Sequence, residues 1–259
     1  MANQTPHVVR PTPACDLSPL ATHGYCLWSR SLADDGLAEL AAAIRVLAAE
    51  VAPPVWRAAP PLVLGPHTQV TSAGLVLTGL LERLPAHRQA LIPAALCRAV
   101  QDLLGHDALV EVVGAMVSTN ARPFFGWHTH LDGRDEGERV QTGVWPTPQG
   151  LRRVLTLLYL DDVDDDGGPL LVLPRQLDDP TRPPGLLDTP DWPGHVRLQP
   201  RAGTLVAIDE RTWHAVLPMR RPGSRTVLAV YFAARGVPAG QWADPSLAGL
   251  KLLADREST

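Results

Sequence analysis

A mainly β chain with supporting α-helices, its strands closed into a barrel or sandwich of jelly-roll type, is the fold class the sequence predicts. Beyond residue 105 the chain breaks into short runs of β-branched and apolar residues, VEVVGAMVST, RVLTLLYL, PLLVLP, HVRLQ, GTLVAI and RTVLAVYFA, separated by Gly, Pro and Asp. No helix-length pattern stands between these runs, which disfavours a βαβ sheet. Helical periodicity is confined to the first half of the chain.

The 259 residues, 45% of them apolar, can bury a full core and suffice for one large domain or two small ones. One is expected, with a lead-in and supporting helices over 1–105, the β core over 106–236 and a tail over 237–259. Residues 1–30, rich in Pro, Thr and Cys, read as an irregular lead-in packed against the main body. The stretch LADDGLAELAAAIRVLAAEVA, residues 32–52, spaces Ala and Leu at three and four and predicts an amphipathic helix that Pro53 and Pro54 end. A second helical region spans 86–105, kinked or broken at Pro93 and stopped at Gly105. The polar, glycine-bearing segment 133–150 separates two strands, and loops of that length are often functional. A lid over the substrate is the expectation there, with Arg134 or Trp145 touching it. The run DDVDDDGG, 161–168, matches the opening of a calcium loop at Asp162, Asp164, Asp166 and Gly167. Leu173 stands where such a loop needs Glu, so an acidic turn between strands is preferred.

Composition excludes several classes of function. A formal charge of −4, with arginines spread among acidic residues, offers no basic field for nucleic acid. No run of eighteen apolar residues exists and the opening MANQTPHVVRPTPACD lacks the apolar core of a signal peptide, so a cytoplasmic protein without a membrane partner is expected. Cys15, Cys26 and Cys97 form no CxxC pair and predict neither a disulfide framework nor a structural zinc site.

Chemistry is carried by FFGWHTHLDG, residues 124–133. His128, His130 and Asp132 stand at alternate positions, so an extended strand would turn all three to one face. A His and an Asp two positions apart, with a second His far along the chain, are what a mononuclear iron(II) site requires: two imidazoles, one carboxylate and open positions. His130, Asp132 and His214 form that candidate triad. Arg225, eleven residues after His214 at the head of an apolar run, could grip a carboxylate with two parallel hydrogen bonds.

With these motifs in view, residues from about Val110 to Ala234 resemble the iron(II)/2-oxoglutarate-dependent dioxygenases. The segments WHTHLDG, RRVLTLLYLDDVDDDGGPLLVLP, AGTLVAIDERTWHAVLP and GSRTVLAVYFA occur in the order of that family. The second and third are most similar to the prolyl 4-hydroxylase-like branch, with the phytanoyl-CoA hydroxylase-like branch close behind. Arg225 stands where the former usually has Lys. The resemblance implies a double-stranded β-helix (jelly roll, cupin-like) core with the N-terminal helices packed on its outer face. It implies that His130, Asp132 and His214 bind Fe(II), that Arg225 pairs with the distal carboxylate of 2-oxoglutarate, that Tyr159 helps hold that carboxylate, and that Asn120 contacts the same co-substrate. Tyr159 should share an inward face with Leu155 and Leu157. Implied too is hydroxylation of an unactivated C–H bond of a small-molecule or amino-acid-like substrate by O2, coupled to conversion of 2-oxoglutarate to succinate and CO2.

His128 keeps an alternative open. It reads as a group beside the metal that faces the substrate, yet HTH could join His214 in a three-His site of cupin type with no 2-oxoglutarate. Glu136 falls one position late for a cupin motif. A third reading is a barrel that turns nothing over and acts as a binding module.

Overall fold

The computed structural model describes residues 12, 14–146 and 150–250. Most of the predicted lead-in before residue 14, three residues of the predicted lid and the end of the tail lie outside these. Among the described residues, twelve strands build two antiparallel sheets: β1 (Tyr25–Trp28), β2 (Leu62–Gly65), β3 (Thr68–Thr71), β4 (Gly74–Leu77), β5 (Leu109–Thr119), β6 (Phe125–His128), β7 (Arg153–Tyr159), β8 (Leu170–Val172), β9 (Val196–Leu198), β10 (Leu205–Asp209), β11 (His214–Val216) and β12 (Ser224–Ala233). The larger sheet runs β1-β10-β7-β12-β5-β4-β3-β2 and the smaller β6-β11-β8-β9. Strands that are neighbours in space but distant in sequence, such as β10 beside β7 and β11 beside β6, are the mark of a jelly roll.

Period-two alternation sorts the side chains of the larger sheet. Leu155, Leu157 and Tyr159 of β7, Val206 and Ile208 of β10, and Val227 and Ala229 of β12 meet Leu170 and Val172 of the smaller sheet inside the barrel. Their neighbours Val154, Leu158, Leu205, Ala207, Leu228 and Val230 join a second core with Leu40, Ile44 and Ala48 of the helix Asp34–Val51 and Leu96 and Val100 of the helix Ala94–Leu104. Asp34 and Asp35 sit in the first turn of the longer helix, where the macrodipole favours negative charge. The second helical region divides at Pro93, as the missing amide hydrogen of proline requires, and Gly105 ends it at φ 97°. A third cluster, Trp127, Leu171, Trp192, Trp213 and Ala215, covers the other face of the smaller sheet, with Trp127 and Trp192 stacked at 4.4 Å.

Two stretches depart from the sequence reading. Tyr25–Trp28, inside the predicted irregular lead-in, is an edge strand paired with β10. Residues 62–77 form two hairpins that add three strands to the larger sheet beside β5. The N-terminal half thus supplies sheet as well as helices. The acidic turn after β7 is held by arginines: Arg221 Nη1 lies 2.9 Å from Asp164 and Arg197 Nη2 lies 2.8 Å from Asp165.

Candidate metal and co-substrate site

The site begins with one register pair. His128, the last residue of β6, lies directly across from His214, the first residue of β11, so both imidazoles leave the sheet on the same side. His130 follows two residues after β6, its backbone N–H donating to Glu210 O at 2.8 Å in the turn that leads into His214. Each of the three rings offers a nitrogen within 4.8 Å of the others. Nε2 of His130 and Nε2 of His214 are 3.2 Å apart. Two nitrogens bound at right angles to one ion, each about 2.1 Å from it, would be about 3 Å apart.

The ring tautomers fit that purpose. His128 Nδ1 donates to Gly126 O at 2.9 Å and His214 Nδ1 donates to Thr212 O at 3.0 Å. A carbonyl can only accept, so Nε2 of both rings is left as a lone-pair donor, the usual arrangement around a metal-binding histidine. Burial holds His130 and His214 well below the usual histidine range, helped for His130 by His214, His128 and Arg139 and for His214 by His128. They are neutral, as ligands must be. Thr129, between the first two histidines, is clamped by the buried Glu136, which accepts from its backbone N–H and, at 2.9 Å, from its hydroxyl. Arg139 in turn donates to Leu131 O and Arg134 O and lies 3.7 Å from Glu136. The first half of the predicted lid, including the helix Gly137–Thr142, is therefore a brace for the HTH segment.

Asp132 is not brought to this cluster. The strand ends at His128, and the chain turns through a short 3-10 segment in which Asp132 takes φ 57°. Alternate positions share a face only while the backbone stays extended. The Asp132 carboxylate pairs instead with Arg152, which also bonds Glu210 Oε1 at 3.2 Å. Gly133 follows at φ 67°, and a Cβ there would stand 2.6 Å from Gly240 Cα. That close backbone approach docks the segment after β12 on the turn and lays Trp242 5.0 Å from the His130 ring. Tyr231, inward-facing on β12, puts its hydroxyl 3.4 Å from His130 Nε2; burial, Asp135 and Glu111 hold that hydroxyl in its protonated form.

A cavity of about 270 Å³ opens beside the histidines, lined on one side by Leu155, Leu157, Val227 and Ala229 of the barrel and on the other by Gln69, Thr71 and Val76 of the β3–β4 hairpin. Arg225 reaches into it from the second residue of β12, donating to Gly168 O. Only a glycine fits at 168, since φ is 76° and a Cβ would lie 2.8 Å from Leu217 O and 3.2 Å from Arg225 Nη1. Tyr159 lies inside the barrel in the field of Arg225; burial raises its pKa while Arg225 and Arg122 pull the other way. Arg122 is a second guanidinium on the cavity wall.

The remaining predicted residues lie elsewhere. Asn120 is exposed in the turn after β5. Arg134 is exposed and faces Glu138 at 3.8 Å. Trp145 packs on Trp213 at 5.5 Å, in the tryptophan cluster outside the barrel. Sequence reasoning missed Arg122, Tyr231 and Trp242. Tyr231 was findable, two and four positions beyond the inward Ala229 and Val227; Trp242 lies in an aperiodic segment with no local signal.

Comparison with solved structures finds close likeness of fold. HygX from Streptomyces hygroscopicus, crystallised with nickel and 2-oxoglutarate, superposes with a TM-score of 0.60 at 13% identity over 88% of this chain and 89% of HygX. The non-heme alpha ketoglutarate dependent epimerase SnoN from nogalamycin biosynthesis gives 0.62 at 15% identity over 89% of this chain and 84% of its own. The carbocyclase SnoK from the same biosynthesis gives 0.57 at 19% identity over 86% and 87%. No curated protein matches in sequence. Residues 117–233, from the end of β5 to the end of β12, match the 2OG-Fe(II) oxygenase superfamily and include all three clustered histidines and both cavity arginines. The likeness to the 2OG-Fe(II) oxygenase superfamily is thus carried by the segment that builds the barrel and holds the histidine cluster, and the superposed structures share its fold.

Proposed function

We propose that the protein oxidises an unactivated C–H bond of a small molecule, hydroxylation being the first outcome to test, with iron(II) held by His128, His130 and His214. The observation that carries this reading is the convergence of three imidazole nitrogens within 4.8 Å, two of them with Nδ1 committed to a carbonyl. Imidazole donors suit iron, and three of them leave coordination positions open. Iron(II) held by these residues would, with 2-oxoglutarate and O2 as co-substrates, supply a two-electron oxidation of the substrate, one oxygen atom going to succinate as the keto acid loses CO2 and the other to the hydroxyl of the product or to water.

This chain's residues do the rest. The three imidazoles fix the reacting centre against β6 and β11, and Glu136 holds the segment that carries His128 and His130 through Thr129. Arg225 anchors the distal carboxylate, buried where competing water is scarce. Leu155, Leu157, Val76 and Val227 give the cavity an apolar wall that excludes water and packs the substrate. HygX has been crystallised with hygromycin B and SnoN with a nogalamycin compound. A substrate of that general kind, a small specialised metabolite taken up in the cytoplasm, fits a site with one acid, Asp135, among its lining residues. No helix among the described residues is long and apolar enough to cross a membrane.

The absence of a carboxylate from the histidine cluster favours one other reading, a three-His oxygenase that uses no keto acid. Anaerobic addition of iron(II) and then 2-oxoglutarate separates the two. A weak visible charge-transfer band, followed by succinate release when O2 and substrate are admitted, is expected. Metal uptake without a band or succinate would favour the second reading, and product analysis by mass shift distinguishes hydroxylation from epimerisation or ring closure.

A further inference from the structure

We infer that Arg122 is a second guanidinium for the carboxylate that Arg225 takes, a positioning residue that closes the pair into a two-arginine clamp. Both arginines line the cavity. They are 2% and 6% exposed, and among the described residues neither enters an ion pair. Arg122 Nη1 donates to Pro123 O and Val216 O at 3.2 and 3.3 Å, and its Nη2 donates to Leu217 O at 2.8 Å. Arg225 donates to Gly167 O and Gly168 O. Nε of each is buried with no partner. The Leu217 N–H donates to Pro169 O at 2.9 Å, and a Cβ on Gly168 would lie 2.8 Å from Leu217 O, the acceptor of Arg122, and 3.2 Å from Arg225 Nη1, so the two guanidiniums flank one spot on the wall.

Burying two cations side by side is unfavourable unless an anion joins them. Burial and then the neighbouring Arg225 lower the preference of Arg122 for its charged form, and burial lowers that of Arg225. The nearest candidate from the chain itself, Asp161, is already bonded to Arg45 at 2.6 Å and to the Thr226 N–H at 2.7 Å. Tyr159, inside the barrel beside both arginines, is protonated and brings no charge. Backbone carbonyls orient the guanidiniums without neutralising them. A carboxylate accepting from both does so, and two bidentate donors discriminate sharply against a ligand that lacks it.

The inference rests on the keto-acid reading above, and one calorimetric series on anaerobic, iron(II)-loaded protein separates their failures. Three probes are used: 2-oxoglutarate; 2-oxobutyrate, which keeps the keto acid end and lacks the distal carboxylate; and glutarate, which keeps both carboxylates and lacks the keto group. Arg122→Met is expected to weaken 2-oxoglutarate and glutarate on the order of 10- to 100-fold while leaving 2-oxobutyrate unchanged, with Arg122→Lys intermediate. Arg225→Met should do the same, and the double variant should add little. Native 2-oxoglutarate affinity in both folded Arg122 variants overturns the clamp. If the wild type binds neither keto acid, the proposed function fails, and the clamp stands or falls on whether glutarate binds and loses affinity in Arg122→Met.

Discussion

Two pairs of arginines border the barrel, and the fold treats them in opposite ways. Arg153 is enclosed by Glu111 at 2.9 and 3.1 Å and by Glu210 at 3.4 Å, while Arg152 is shared between Glu210 and Asp132. Arg122 and Arg225, buried like Arg153, donate among the described residues only to backbone carbonyls. Where the chain brings its own counter-charge, the pair is scaffold. Where it brings none, the counter-charge must come with a ligand. The same division explains Asp132: its carboxylate belongs to the paired network, and the metal cluster is made of neutral imidazoles.

Breaking the paired side should have the largest effect. Glu111→Gln leaves Arg153 short of its charge partner in a dry site and is expected to destabilise the fold by about 3 kcal/mol or more, read as a lower urea midpoint. Arg225→Met removes a charge that has no ion-pair partner among the described residues, so its cost to the ligand-free fold should stay under about 1 kcal/mol and could reverse sign. Equal destabilisation by the two variants would erase the distinction between scaffold and ligand arginines. A smaller effect sharpens it on the histidine side. Glu136→Gln keeps the shape of the Thr129 clamp and removes its charge, and metal affinity, measured by competition against a chelator of known affinity, should fall on the order of 10-fold, with a drop in the unfolding midpoint smaller than that of Glu111→Gln because Arg139 keeps its bonds to Leu131 O and Arg134 O. An unchanged affinity would mean that the HTH segment is positioned by β6 alone.

The barrel was legible because β7, β10 and β12 alternate between two apolar environments, which no helix could satisfy. The hairpins over 62–77 were not: Gly65, His67 and Gly74 interrupt four-residue strands, and Leu62, Val63 and Leu64 remain exposed on the outermost one. At the site, the sequence singled out all three histidines but assigned the metal to His130, Asp132 and His214 and placed His128 beside it, whereas the three imidazoles converge and Asp132 does not. The difference depends on where β6 stops. A strand four residues longer would have kept Asp132 on the histidine face; the turn at φ 57° sends it to Arg152. Arg122, between the turn after β5 and Pro123, carries no periodic signal, and its importance appears only when β11 closes over it.

The central claim is tested most directly by iron(II) binding to two variants under anaerobic conditions. The account predicts that His128→Ala loses the metal while Asp132→Ala binds it with near-native affinity and one-to-one stoichiometry. Loss of iron in Asp132→Ala with retention in His128→Ala would contradict it and return the site to two histidines and a carboxylate.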